Sequence, residues 1–194
     1  MERIVMASGN EGKIKEAGEI LKEYNIISMK ELGVNIDVEE DKDTFLENAI
    51  KKSKEITQNL KGEIVIADDS GIEVEFLDGF PGVYTKRWHA GSDKERNLAI
   101  LEKMKGVPKE NRKVKFTTAI AASKEEKTIS VSASIEGYVS ENCRGENGFG
   151  FDEIFELENG KTLAELSDEE KNEISARRKA FELLKNELEK LKVQ

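Results

Sequence analysis

Apolar positions recur along this chain in two rhythms, short apolar runs and stretches spaced three or four apart. Residues 2–8 (ERIVMAS) are such a run and predict a strand. Over residues 12–23, Ile14, Ala17, Ile20 and Leu21 share one face, the spacing of an amphipathic helix. Residues 25–29 predict a second strand. Thr44 and Glu47 form a capping-box pair that opens a helix to about residue 60. EIVIAD (63–68) predicts a buried strand and GIEVEFL (71–77) a half-buried one, with the turn chemistry of DGFPG (78–82) behind them. Ser92 and Glu95 cap another helix, which Gly106 stops. VKFTTAIAAS and TISVSASIEGYVS predict an antiparallel pair around KEEK. DEIFEL (152–157) predicts a further strand. Ser167 and Glu170 cap a short helix, and Ser175 restarts one that runs to about Lys192. Strands interleaved with helices, plus a hairpin, predict a mixed α/β fold.

The 194 residues suit one domain, 1–194, built as two lobes. There is no internal repeat and no low-complexity linker. Hydrophobic and charged residues each make up 37%, a charge-rich surface over a modest core. The net charge of −9 argues against non-specific binding to nucleic acid. No apolar stretch approaches the roughly 18 residues that span a bilayer. The amino end enters a strand without a signal-peptide pattern, and Cys143 is the single cysteine. Together these predict a cytoplasmic protein with no membrane partner. His89 is the single histidine, so no two-histidine metal site exists within one chain. The chemistry falls to carboxylates, lysines, arginines, backbone amides and a bound metal.

Five stretches carry candidate chemistry. ASGNEGKIKE (7–16) follows an apolar run as a phosphate loop would, but only two residues separate Gly9 from Gly12, and Ile14 follows Lys13. It is therefore not a P-loop. Lys13 stands in the first helical turn, at the positive end of the helix dipole, which makes sense beside an anion. Its alternative is a plain strand–helix turn with a solvated lysine. ADDSG (67–71) sets two acids at the end of an apolar strand, where α/β proteins place ligands. Asp68 and Asp69 point to opposite faces, so one can anchor the turn while the other holds Mg²⁺ or acts as general base. The acidic run NIDVEEDKD (35–43) offers oxygen ligands, or is a solvated loop. In GENGFGFDEIF (145–155), Phe149 and Phe151 offer a face for a flat ring and Asp152 an acceptor, unless both rings pack into the core. Lys171, Arg177, Arg178 and Lys179 gather positive charge near the carboxyl end, and a guanidinium can donate to a purine oxygen.

Taken together and in this order, these stretches resemble the inosine triphosphate pyrophosphatase family. Ser8, Asn10 and Lys13 match its opening pattern, and TFLENAIKKSK matches a helix with Glu47, Asn48 and Lys52. ADDSGIEV, GFPGVYTKRW, GFGFDEIF and AELSDEEKNEIS match the later signatures. The resemblance implies an elongated, twisted sheet flanked by helices, with two lobes around a nucleotide cleft. It implies Mg²⁺-dependent cleavage of ITP, dITP and XTP to monophosphate and pyrophosphate, by a homodimer. By residue, it implies that Ser8, Gly9, Asn10, Glu11, Gly12 and Lys13 bind the triphosphate, with Lys52 in support. Asp69 would be the general base and hold Mg²⁺ with an acid of the Glu39–Glu40 pair; counting back from Phe45 favours Glu39. Asp68 would support the metal shell. Ser70, Phe149, Gly150, Phe151, Asp152, Lys171 and Arg177 would contact the nucleotide. Two positions depart from the family pattern. Ala176 replaces a histidine in Ser-His-Arg, with Arg178 as a substitute donor, and Glu153 replaces a proline. The first bears on base selectivity and keeps two alternatives open: a pyrophosphatase of modified pyrimidine or standard nucleotides, and a catalytically silent nucleotide sensor.

Overall fold

The computed structural model of the protein describes residues 1–85 and 87–191. Lys86, within GFPGVYTKRW, and Lys192, the expected end of the last helix, lie outside the described residues. The elements are β1 (Glu2–Met6), α1 (Glu11–Ile20), β2 (Tyr24–Ser28), α2 (Phe45–Thr57), β3 (Ile64–Val74), α3 (Asp93–Lys103), β4 (Lys113–Lys124), β5 (Lys127–Val139), β6 (Phe155–Glu156), α4 (Asp168–Ile174) and α5 (Ala176–Glu187). They form a mixed α/β fold with one six-stranded sheet in the order β2-β1-β3-β4-β5-β6. β1 runs parallel to both β2 and β3, and β6 antiparallel to β5. No helix among the described residues is long and apolar enough to cross a membrane.

The chain divides into two compact units. The first comprises residues 1–70, 118–133 and 176–194, and the second residues 71–117 and 134–175. The first unit buries both faces of its parallel strands. Ile4, Met6, Ile64 and Ile66 pack with Ala17, Ile20 and Leu21 and with Ala180, Phe181 and Leu184 of α5. Val5, Ala7, Val65 and Ala67 pack on the other face with Ile56 of α2. Strands buried on both faces read as continuous apolar runs, as EIVIAD does. Phe181 has no exposed surface, and truncating it to alanine costs about 3–5 kcal/mol. The second unit has its own core, including Ile72, Val74, Ile100, Met104, Phe151, Ile154 and Phe155.

Two strand expectations are corrected. The runs 63–68 and 71–77 are not separate strands; β3 continues from Ile64 to Val74 straight through ADDSG. Gly71 lies within that extended run, and buried partners hold the two acids. DEIFEL contributes only Phe155–Glu156 to the sheet. Ahead of it, the N–H groups of Ile154 and Phe155 both donate to the Phe151 carbonyl at 3.0 Å. That tight turn sends Phe151 and Ile154 into one core, which a strand's alternation would not do.

Candidate active site

Strand alternation sorts the two acids of β3. Asp68 continues the Ile64–Ile66 row, toward α1 and α5; Asp69 continues the Val65–Ala67 row, toward α2. β1 ends at Met6, which pairs with Ile66, so both acids lie just beyond the carboxyl end of the neighbouring parallel strand. Lys13 Nζ of α1 donates to Asp68 Oδ2 at 2.5 Å, and Arg177 Nε of α5 lies 3.9 Å from the same oxygen. Arg177 Nη1 also donates to Glu16 Oε2 at 3.3 Å. Lys13, Asp68 and Arg177 are all at least 94% buried. Burial alone would raise the Asp68 pKa, but the charges of Lys13 and Arg177 and the Lys13 hydrogen bond outweigh it and hold the carboxyl at about 2. The anion beside Lys13 is thus, in this state, the protein's own carboxylate.

Asp69 stands in the opposite environment. Burial pushes its pKa up to about 6, helped by the charges of Glu40 and Asp68. Asn48 Nδ2 donates to its Oδ2 at 3.0 Å and the Ser70 N–H to its Oδ1 at 2.9 Å, which limits the rise. Asn48 is itself fixed, because its Oδ1 accepts the Lys42 N–H at 2.9 Å. Lys52 pairs with Glu40 at 3.2 Å. Lys51 holds the Glu39 carbonyl at 2.8 Å, while the residue itself is exposed.

The loop before α1 is capped from within. Asn10 Oδ1 accepts the Lys13 N–H at 3.2 Å, and Ser8 Oγ accepts the Asn10 N–H at 3.2 Å. Gly9, Glu11 and Gly12 are exposed at this helix start, where N–H groups point outward along the axis.

A second constellation belongs to the second unit. Asp152 Oδ2 accepts the Phe149 N–H at 2.9 Å and pairs with Lys171 Nζ at 2.5 Å. The Lys171 ammonium sits 4.9 Å from the centre of the Phe149 ring, a cation–π contact. A Cβ on Gly148, whose φ is +85°, would lie 2.2 Å from Asp152 Oδ2 and 2.8 Å from Lys171 Nζ, so a side chain there would displace one of the two. Phe149 is 46% exposed and offers a ring face; Phe151 is 5% exposed and belongs to the core. The expectation that both rings present a face is corrected: the turn at 151–154 drives the second one inward.

The profile of the Ham1 family matches residues 4–187. The chain belongs to the Ham1 family. It is 44% identical over 191 residues to the dITP/XTP pyrophosphatase of Caldanaerobacter subterraneus subsp. tengcongensis, covering 95% of each chain. It is 44% identical over 200 residues to that of Clostridium perfringens, covering 97% of this chain and 98% of the relative. Among solved structures, the Staphylococcus aureus Ham1 protein superposes with a TM-score of 0.88 at 39% identity, covering 97% of this chain and 99% of that one. A nucleoside-triphosphatase, or dITP/XTP pyrophosphatase, of Mycobacterium abscessus superposes with a TM-score of 0.79 at 32% identity, covering 94% and 98%.

Within this Ham1 chain, Lys13, Asp68 and Arg177 are brought together, as are Asp69, Glu40 and Lys52. The count from Phe45 favours Glu39, but the acid whose charge acts on Asp69 is Glu40. Asn48 and Glu16 carry partners of the central residues and went unassigned in the sequence. Asn48 had a signal, its place in TFLENAIKKSK; Glu16 had none. Ala176 is buried at the start of α5, and Arg178 pairs with Glu182 at 3.0 Å, one turn along. Among the described residues no group of three or more His, Cys, Asp and Glu side chains is arranged to hold a metal. Mg²⁺ does not need one, since it takes one or two carboxylates and completes its shell with water and phosphate oxygens. Buried Asp69, repelled by Glu40, fits that donor set.

Proposed function

We propose that this Ham1-family protein hydrolyses the non-standard purine nucleoside triphosphates ITP, dITP and XTP between the α- and β-phosphates. The products are the nucleoside monophosphate and pyrophosphate, and the reaction removes these bases from the pool that polymerases draw on. The reaction class is supported by the relatives named dITP/XTP pyrophosphatase. The observation that carries the mechanism is the contrast on β3: adjacent carboxyls at about 2 and about 6. Two acids pushed apart by their surroundings take different roles.

Asp69 is the general base. Its pKa of about 6 leaves it ionised at neutral pH yet basic enough to take a proton from water. The water oxygen attacks the α-phosphorus, its proton passes to the Asp69 carboxylate, and the bond to the bridging oxygen breaks with its electron pair leaving on pyrophosphate. Lys13 and the N–H groups of Gly9, Glu11 and Gly12 stabilise the departing charge. Asp68 is too weak a base to take that proton, because Lys13 and Arg177 stabilise its carboxylate and hold its pKa at about 2; it holds the lysine in place. Asn48 orients the Asp69 carboxylate. Mg²⁺, held by Asp69 and Glu40, would neutralise phosphate charge and order the polyphosphate. Lys52 balances Glu40.

The purine ring stacks on Phe149, with Asp152 and Lys171 addressing its edge. An unmet buried polar contact costs about 1–3 kcal/mol, so one donor to the 6-oxygen separates hypoxanthine or xanthine from adenine by roughly tenfold to a hundredfold. Ala176 favours a second reading, a wider base spectrum, since a polar side chain of the family pattern is missing there. Steady-state kinetics of pyrophosphate release on ITP, dITP, XTP, dATP and dGTP test the proposal. A kcat/KM at least tenfold higher on the first three supports it; equal values on all five overturn it.

A further inference from the structure

Helix α3 carries polar residues that neither the resemblance nor the mechanism uses. Two of them, Asp93 and Asn97, are four apart and so share one helix face. Both reach the same residue, Gly150. Asp93 Oδ2 accepts the Gly150 N–H at 2.8 Å, and Asn97 Nδ2 donates to the Gly150 carbonyl at 3.0 Å. Asp152 already holds the Phe149 N–H. The three peptide groups from residue 148 to 151 are therefore each held by a side chain: the first by Asp152, the second by Asp93, the third by Asn97. Phe149 sits between the first two, so its backbone direction is fixed on both sides. We infer that Asp93 and Asn97 are positioning residues that set the Phe149 ring for the nucleobase, an inference resting on the assignment of that ring to the base.

A packing role alone does not account for Asn97. It is 1% exposed, and its Oδ1 is buried without a hydrogen-bond partner among the described residues. A leucine of similar size would avoid that cost. What leucine cannot supply is the donor that the Gly150 carbonyl takes. Gly150 itself has a φ of +66°, a left-handed conformation in which a turn benefits from being held from outside. The hold is well built on the helix side. The Ser92–Glu95 capping box fixes the first turn of α3, and Arg96 Nη2 pins the other Asp93 oxygen at 2.5 Å. Glu153 extends the arrangement, its Oε2 lying 3.4 Å from Asn97 Nδ2. This is the position where the family pattern has proline, which has no carboxylate to offer.

Kinetics of XTP hydrolysis with Mg²⁺ in Phe149→Ala, Asn97→Leu, Asp93→Ala and Asp93→Asn test the inference. Phe149→Ala, Asn97→Leu and Asp93→Ala should each raise KM about tenfold with kcat within about threefold of wild type. Asp93→Asn keeps an acceptor for the Gly150 N–H and should stay within about twofold. Asn97→Leu combined with Phe149→Ala should be no worse than Phe149→Ala alone, because Asn97 acts through that ring. Additive losses in the pair, or unchanged KM in Asn97→Leu and Asp93→Ala while Phe149→Ala is impaired, overturn the positioning role and leave the base site standing. Unchanged KM in Phe149→Ala itself removes the base assignment and the inference with it. Should Asn97→Leu fail to fold by circular dichroism, the two Asp93 variants decide, since that side chain is about half exposed.

Discussion

The two constellations are built on opposite principles. In the first unit, the charges around Asp68 are buried, cross-linked and mounted on a strand and two helices. In the second, Phe149 is nearly half exposed and rides a turn with left-handed glycines at 148 and 150. Rigid elements hold reacting groups more closely than loops do, so the first set suits the invariant phosphates and the second a variable base. The difference predicts that damage to the first set appears in kcat and stability, and damage to the second in KM.

The largest expected effect is that of Asp69→Asn: a loss of turnover of at least about a thousandfold with the fold retained, measured as pyrophosphate release alongside thermal unfolding. An active variant would reassign the base. Lys13→Met should cost about 3–5 kcal/mol at pH 7, because it leaves Asp68 buried without its closest partner. The sign with pH is fixed. The folded pKa of about 2 lies below the unfolded value of about 3.9, so the pair's contribution is present above pH 4 and fades as pH falls toward 2. Urea titrations of both proteins at pH 7 and pH 2.5 check this, and a gap that does not narrow in acid contradicts it.

Asp69 gives the reverse dependence. Its folded pKa of about 6 lies above the unfolded value, so the protonated form favours the fold and ionisation weakens it as pH rises through 6. Activity follows the other way: kcat/KM should fall about tenfold per unit below pH 6 at low Mg²⁺. A flat profile from pH 5 to 8 would remove Asp69 as the titrating base. The smallest effect is expected from Arg178→Ala, which removes a surface pair of the kind worth about 0.5 kcal/mol and should leave kcat and KM unchanged. A clear rise in KM there would mean that Arg178 compensates for Ala176 after all.

What the sequence disclosed follows from how local each signal is. Lys13 and the two acids stand out because charge beside an apolar run violates the local pattern, and strand parity alone gives the two acids different neighbours. The continuity of β3 was not legible, since Ser70–Gly71 has the composition of a turn and only the neighbouring strands hold it extended. Counting back from Phe45 favours Glu39, but the loop between has no regular period, and the charge that acts on Asp69 is that of Glu40. Phe149 and Phe151 looked equivalent until the turn at 151–154 turned one inward. Asp93 and Asn97 carry no signal in the sequence beyond their place in the helix capped by Ser92 and Glu95; their partner, Gly150, lies 53 or more positions away in the chain.

The claim that a water held by Asp69 attacks the α-phosphorus is tested most directly by hydrolysing dITP in oxygen-18 water and weighing both products by mass spectrometry. One labelled oxygen in deoxyinosine monophosphate and none in pyrophosphate is the predicted result. Label in the pyrophosphate, or release of inorganic phosphate instead, would contradict it.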